Sequence, residues 1–136
     1  MHLRSPLHDR VKVIRVKDGG TYEEDGWSVV YVGRPGPLGN PYRLDDYGGE
    51  AGRYRVIHLF RLYLDGGDDM RARRMRREID RLARRLINGE RIALSCYCAP
   101  LACHGDVICE HLLYVARGLL TDPFPNPVPD PESDYR

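Results

Sequence analysis

Hydrophobic and polar positions alternate over Val11-Lys12-Val13-Ile14-Arg15-Val16, which predicts a strand over 11–16. Asp18-Gly19-Gly20 behind it supplies turn residues that break the chain. A second strand is predicted from Trp27 to Val32, where Trp27, Val29, Val30, Tyr31 and Val32 are aromatic or β-branched. Its nearly unbroken apolar run is the pattern of a strand covered on both faces. Gly33-Arg34-Pro35-Gly36-Pro37-Leu38-Gly39-Asn40-Pro41 then excludes helix or central strand and predicts a stiff loop, because Gly and Pro recur throughout it.

From about Glu50 to Leu64 the period becomes helical. Tyr54, Ile57, Phe60 or Arg61, and Leu64 fall on one face, and Gly66-Gly67 follows. Asp68 and Asp69 open a second helix, where acidic residues suit the positive end of the dipole. Met75, Ile79, Leu82 and Leu86 form its apolar stripe, and Asn88-Gly89 tolerates the left-handed geometry that ends it. A short strand follows over Arg91–Cys96, and a last helix from about Cys103 to Leu120 with Ile108, Leu112, Val115 and Leu119 as its core stripe. The predicted order is strand, strand, helix, helix, strand, helix. That order describes an α/β fold: a small mixed or parallel sheet with helices packed on it, a Rossmann-like sandwich of two or three layers. One domain over 1–120 is expected, with 121–136 a Pro-rich acidic tail that is extended or disordered.

Composition narrows the class without naming a substrate. A chain of 136 residues is one domain, long enough to bury a core without covalent staples. No apolar run reaches the ~20 residues that span a bilayer, so no membrane role is expected. The start, Met1-His2-Leu3-Arg4-Ser5-Pro6, lacks the apolar stretch of a secretory signal and points to the cytoplasm. Net charge is +1, yet eight Arg fall between Arg71 and Arg85. That helix offers phosphate contacts for nucleic acid, or is simply the solvated face of an amphipathic helix. Cys96, Cys98, Cys103 and Cys109 crowd one stretch and close no long loop, which favours a metal site or a reactive thiol over a disulfide framework.

Both unusual segments follow strands, and ligands of open α/β sheets gather at the carboxyl ends of strands. If the Trp27–Val32 and Arg91–Cys96 strands are neighbours, the two loops wall one cleft. In the first loop Gly33, Arg34, Gly39 and Asn40 are the candidate ligand-binding residues. The glycines would expose backbone amides to cradle an anion, and Arg34 can grip a phosphate or carboxylate with two parallel hydrogen bonds. In the second, Cys96, Cys98, Cys103 and His104 are a zinc ligand set by type, though adjacent Cys103 and His104 point apart in most backbones. The rival reading is catalytic. Cys103 at a helix N-terminus would be a thiolate nucleophile, His104 a general acid or base, and Asp106 an orienting group. Cys109 reads as a small apolar packing residue and His111 as a core-edge imidazole.

Together, Gly33-Arg34…Leu38-Gly39-Asn40-Pro41-Tyr42 and Cys96-Tyr97-Cys98-Ala99-Pro100…Cys103-His104-Gly105-Asp106-Val107 resemble the domain-of-unknown-function family numbered 4326, small proteins common in bacteriophages and prokaryotes. The resemblance covers about residues 11–117. It implies a phage-type origin and a site at Gly33, Arg34, Gly39, Asn40, Pro41, Cys96, Cys98, Pro100, Cys103, His104, Gly105 and Asp106, but no reaction. Two functions stand side by side. The first is a protein that binds or acts on a nucleotide or a nucleic-acid base in the cleft, as in nucleic-acid modification. The second is a non-catalytic, zinc-stabilised module that binds nucleic acid or a host protein through its Arg-rich helix, with docking of the acidic tail on a host protein as a further variant.

Overall fold

The computed structural model describes residues 6–121, so the predicted tail beyond Thr121 lies outside the described residues. Three strands form a fully parallel sheet: β1 (Val11–Arg15), β2 (Ser28–Tyr31) and β3 (Ile92–Cys96), in spatial order β1-β3-β2. The helices are α1 (Gly19–Glu24), α2 (Arg53–Gly66), α3 (Met70–Ile87) and α4 (His104–Thr121). The predicted α/β sandwich is therefore present, with the mixed-sheet option resolved in favour of parallel.

Every residue of β3 is buried, because it pairs on both edges and carries cover on both faces. Register aligns Val11 with Ile92 and both Val13 and Val30 with Leu94. Side chains alternate across a strand, so these residues and Cys96 share the face that meets α2, α3 and α4. Lys12 points to the opposite face, where its Nζ lies 4.3 Å from the Trp27 ring centroid and 4.9 Å from that of Tyr22 on α1. Phe60, Leu64, Leu82, Leu86, Leu94, Ile108 and Leu112 are all fully buried and join the helices to the sheet in one core.

Local sequence accounts for most helix limits. Asp69 caps α3 by accepting a 2.9 Å bond from the Ala72 amide, and the predicted stripe Met75, Ile79, Leu82 and Leu86 is buried. Behind α3, Gly89 sits at φ 103°, the left-handed geometry expected of it. Four expectations need correction. The turn at Asp18-Gly19-Gly20 is a 3-10 turn (Val16–Asp18) running into α1, because the chain must cross one face of the sheet to reach β2. Gly19 is buried close to Val29 there. β2 is an edge strand with only half-buried or exposed residues, since β3 takes the centre. Val56 replaces Tyr54 on the buried face of α2, leaving Tyr54 77% exposed. On α4, Ala116 is buried while Val115 is only partly so.

Candidate functional site

Because β2 and β3 are parallel neighbours, the loops leaving them emerge side by side at the carboxyl edge of the sheet. They wall one cleft of about 320 Å³, closed on its third side by the start of α2. Of the expected residues, Gly33, Arg34, Asn40, Cys96, Cys98, Cys103 and His104 line it, and Gly39 and Asp106 do not.

The first loop is held by its own backbone. Gly36 donates to the Gly33 carbonyl at 2.9 Å and Gly39 to the Gly36 carbonyl at 3.0 Å. Those amides are spent inside the loop, so the expected anion cradle of glycine amides is not formed by Gly36 and Gly39. Their role is close packing: a Cβ on Gly39 would stand 2.9–3.0 Å from Arg34 atoms, and one on Gly33 would overlap the Tyr31 ring that folds over it. Asn40 is a brace as well. Its Nδ2 donates to the Val56 carbonyl at 3.2 Å, and its Oδ1 accepts from the Tyr42 amide at 2.9 Å. Arg34 spends Nη1 on the Asn40 carbonyl at 2.6 Å, while the guanidinium is exposed along the cleft wall.

The second segment runs from the end of β3 to α4. Cys103 stands just before the first residue of α4. Its amide donates to Asp106 Oδ2 at 3.0 Å, and its carbonyl accepts from the Asp106 amide at 3.0 Å. Asp106 thus closes the helix N-terminus, on the surface and outside the cleft. His104 donates from Nε2 to the Val32 carbonyl at 2.6 Å, and its ring meets Phe60 edge-on at 5.1 Å. Burial pushes its imidazole below the ordinary histidine range, which keeps it neutral.

The sulfurs of Cys96 and Cys103 lie 3.1 Å apart at the base of the cleft. The two thiols share one hydrogen bond, which lowers the Cys96 pKa; amides of Ala99 and Cys98 act in the same direction. The same bond, with burial, raises the Cys103 pKa. Cys96 is thereby the more acidic sulfur of the pair, a bias opposite in direction to the thiolate expected at Cys103. Cys109 behaves as expected of a packing residue, its thiol pushed up to about 11 by burial.

The expected zinc ligands all border the cleft but do not converge. Cys96 and Cys103 meet, whereas His104 has committed Nε2 to a backbone carbonyl. Among the described residues, no group of three or more His, Cys, Asp or Glu is placed to hold a metal ion.

Sequence reasoning missed several residues of the cleft. Arg53, at the first turn of α2, reaches Glu50 with Nε (2.8 Å) and Nη2 (2.6 Å) and the Ala102 carbonyl with Nη1 (2.9 Å). It ties α2 to the second loop, and the Glu50 carboxylate further favours its charged form. Only the Glu50–Arg53 spacing could have hinted at it. Tyr31 and Tyr97 stand edge to face at 6.0 Å, with Tyr97 74% exposed. Tyr42, Leu44, Val56 and Ile57 supply the apolar lining. Among the described residues that line the cleft there is no carboxylate.

Outside it, the arginines of α3 are partly committed: Arg76 to the Leu64 carbonyl, Arg81 to Glu78, Arg84 to Asp80 and Arg85 to Glu90. Among the described residues no helix is long and apolar enough to cross a membrane.

Fold and site together define a small parallel α/β protein whose two signature loops meet in one cleft at the carboxyl edge of its sheet. The chain belongs to the family described as Domain of unknown function (DUF4326), whose model matches residues 14–114. No curated protein and no solved structure matches it.

Proposed function

We propose that the cleft binds a nucleotide, free or within nucleic acid, and that the protein acts on its base or sugar. The observation that carries the reading is the lining itself. Arg34 stands there with no carboxylate among the described lining residues, beneath a mouth flanked by Tyr31 and Tyr97. Arg34 would take the phosphate through its remaining fork of donors, while Arg53, paired with Glu50, holds the wall behind it. The tyrosine pair offers a face for stacking on a base. A volume near 320 Å³ is at the lower end of small-molecule sites, which run from roughly 300 to 1,000 Å³. At the cleft floor Cys96, hydrogen-bonded to the Cys103 thiol, is the group able to attack carbon. His104 fixes the start of α4 by donating to the Val32 carbonyl.

Calorimetric titration tests the reading with nucleoside 5′-monophosphates, the matching nucleosides, inorganic phosphate and short single-stranded oligonucleotides. Phosphorylated ligands should bind more tightly than nucleosides. Arg34→Ala should weaken them by about 10- to 100-fold, the loss of a charge-assisted contact worth ~1.5–3 kcal/mol, while losing its bond to the Asn40 carbonyl lowers the melting temperature by only about 3 °C. Equal affinity for nucleoside and nucleotide, or an Arg34→Ala protein that binds normally, would overturn it. One zinc per chain by elemental analysis, lost together with folding in Cys98→Ala, would favour the zinc-stabilised module acting through α3 instead.

A further inference from the structure

We infer that Cys96 and Cys103 form a reversible dithiol–disulfide couple at the base of the cleft, a modification site that a hydroperoxide oxidises. All four cysteines are free, yet these two sulfurs are 3.1 Å apart. A disulfide bond is close to 2.05 Å, so the pair needs an approach of only about 1 Å. The partners belong to different elements: Cys96 ends β3, and Cys103 immediately precedes α4. The connecting segment turns back through the Leu101 amide bond to the Cys98 carbonyl, at 2.8 Å. Both side chains line the cleft, which gives a small oxidant access to sulfurs that are otherwise buried.

The chemistry balances. Cys96 attacks the hydroperoxide, its S–O bond forms as the O–O bond breaks, and an alcohol leaves with the thiol proton. Cys103 then attacks the Cys96 sulfenic sulfur, the S–S bond forms, and the hydroxyl leaves as water with the Cys103 proton. Two electrons pass from the two thiols to the hydroperoxide. An external dithiol reverses the exchange.

This inference stands on the sulfur geometry and not on the identity of the cleft's ligand, so the two readings fail separately. The test treats the full-length protein as isolated with a small excess of tert-butyl hydroperoxide. The expected product is monomeric, has lost two hydrogens in intact mass, and carries a Cys96–Cys103 link in its peptide map. Iodoacetamide labelling of Cys96 should fall by at least about tenfold and return after dithiothreitol. Cys98→Ser should form the same link. Cys103→Ser should instead leave Cys96 as a sulfenic acid that a dimedone probe captures. Linkage of Cys98 to either partner in the wild type overturns the inference, as does oxidation that yields only intermolecular bonds. Resistance of the pair in folded protein, including resistance caused by metal held on these thiols, overturns it equally.

Discussion

Replacing Asn40 by Ala separates a brace from a ligand-binding residue. The wild-type amide is nearly buried, at 7% exposure. It joins the first loop to α2 through the Val56 carbonyl and closes the turn onto Tyr42. Alanine removes both bonds. Each is worth ~1 kcal/mol net, and the half-buried Tyr42 amide left without a partner adds up to about 1 kcal/mol, so the loss is ~2–3 kcal/mol. At ~2.1 cal/mol/K of unfolding entropy per residue, a chain of this length should then melt about 7–10 °C lower. Asn40→Asp keeps an acceptor for Tyr42 but sets a carboxylate oxygen against the Val56 carbonyl, so it should melt lower still at neutral pH. Thermal unfolding followed by circular dichroism reads the shift. An Asn40→Ala protein that melts within about 2 °C of wild type would refute the brace, given the entropy scale above. Unchanged melting together with lost nucleotide affinity would return Asn40 to the ligand.

Four other outcomes are expected. Burial lowers the His104 pKa, so below the ordinary value of 6.5 the unfolded chain binds a proton that the folded one does not. Stability should therefore fall as pH drops through that value, with a slope approaching ~1.4 kcal/mol per unit. His104→Gln should flatten that limb in urea titrations between about pH 7.5 and 5.5, and an unchanged slope would show that another group titrates. Asp69→Ala should cost ~1 kcal/mol through loss of the α3 cap, read as a lower urea midpoint at unchanged m-value. Leu94→Ala, at the fully buried centre of the sheet, should cost about 3–4 kcal/mol in the same assay, and a loss under ~1.5 kcal/mol would contradict its place in the core. Gly39→Ala should cost ~1–3 kcal/mol and weaken nucleotide binding, because its Cβ would press on Arg34 and open the loop.

How much of this was legible in the sequence differs between scaffold and site. α3 declares itself because Met75, Ile79, Leu82 and Leu86 repeat on one face between an Asp cap and Gly89. β3 is recognisable as a short apolar run, but nothing local says that it, rather than the valine-bearing β2, takes the centre. That choice depends on the long crossover through α2 and α3. The buried face of α2 differs from the expected one by a small rotation: Tyr54 and Val56 both lie near the stripe through Phe60 and Leu64, and only tertiary packing decides between them. α1 opens with two glycines and has no apolar stripe, so its helix is a product of tertiary packing. At the site, residue types and their convergence were readable from two loops after two strands. What those side chains were already bonded to was not.

That distinction has a physical origin. The carboxyl edge of a parallel sheet leaves strand-end carbonyls and helix-start amides that must be satisfied when the edge is covered. Here His104 satisfies the Val32 carbonyl and Asp106 the Cys103 amide, while Asn40 ties the first loop to α2 at the Val56 carbonyl. Three residues that look chemical in the sequence therefore hold backbone in place. The same bracing leaves few groups uncommitted: part of the Arg34 guanidinium, the tyrosine faces and the sulfur pair. A ligand entering this cleft meets a rigid frame whose ordering cost is already met, which raises affinity without new contacts. Substitution of a brace should accordingly reach the ligand indirectly, by loosening Arg34 or shifting Cys96. Substitution of Arg34 should reach it directly, with the fold intact.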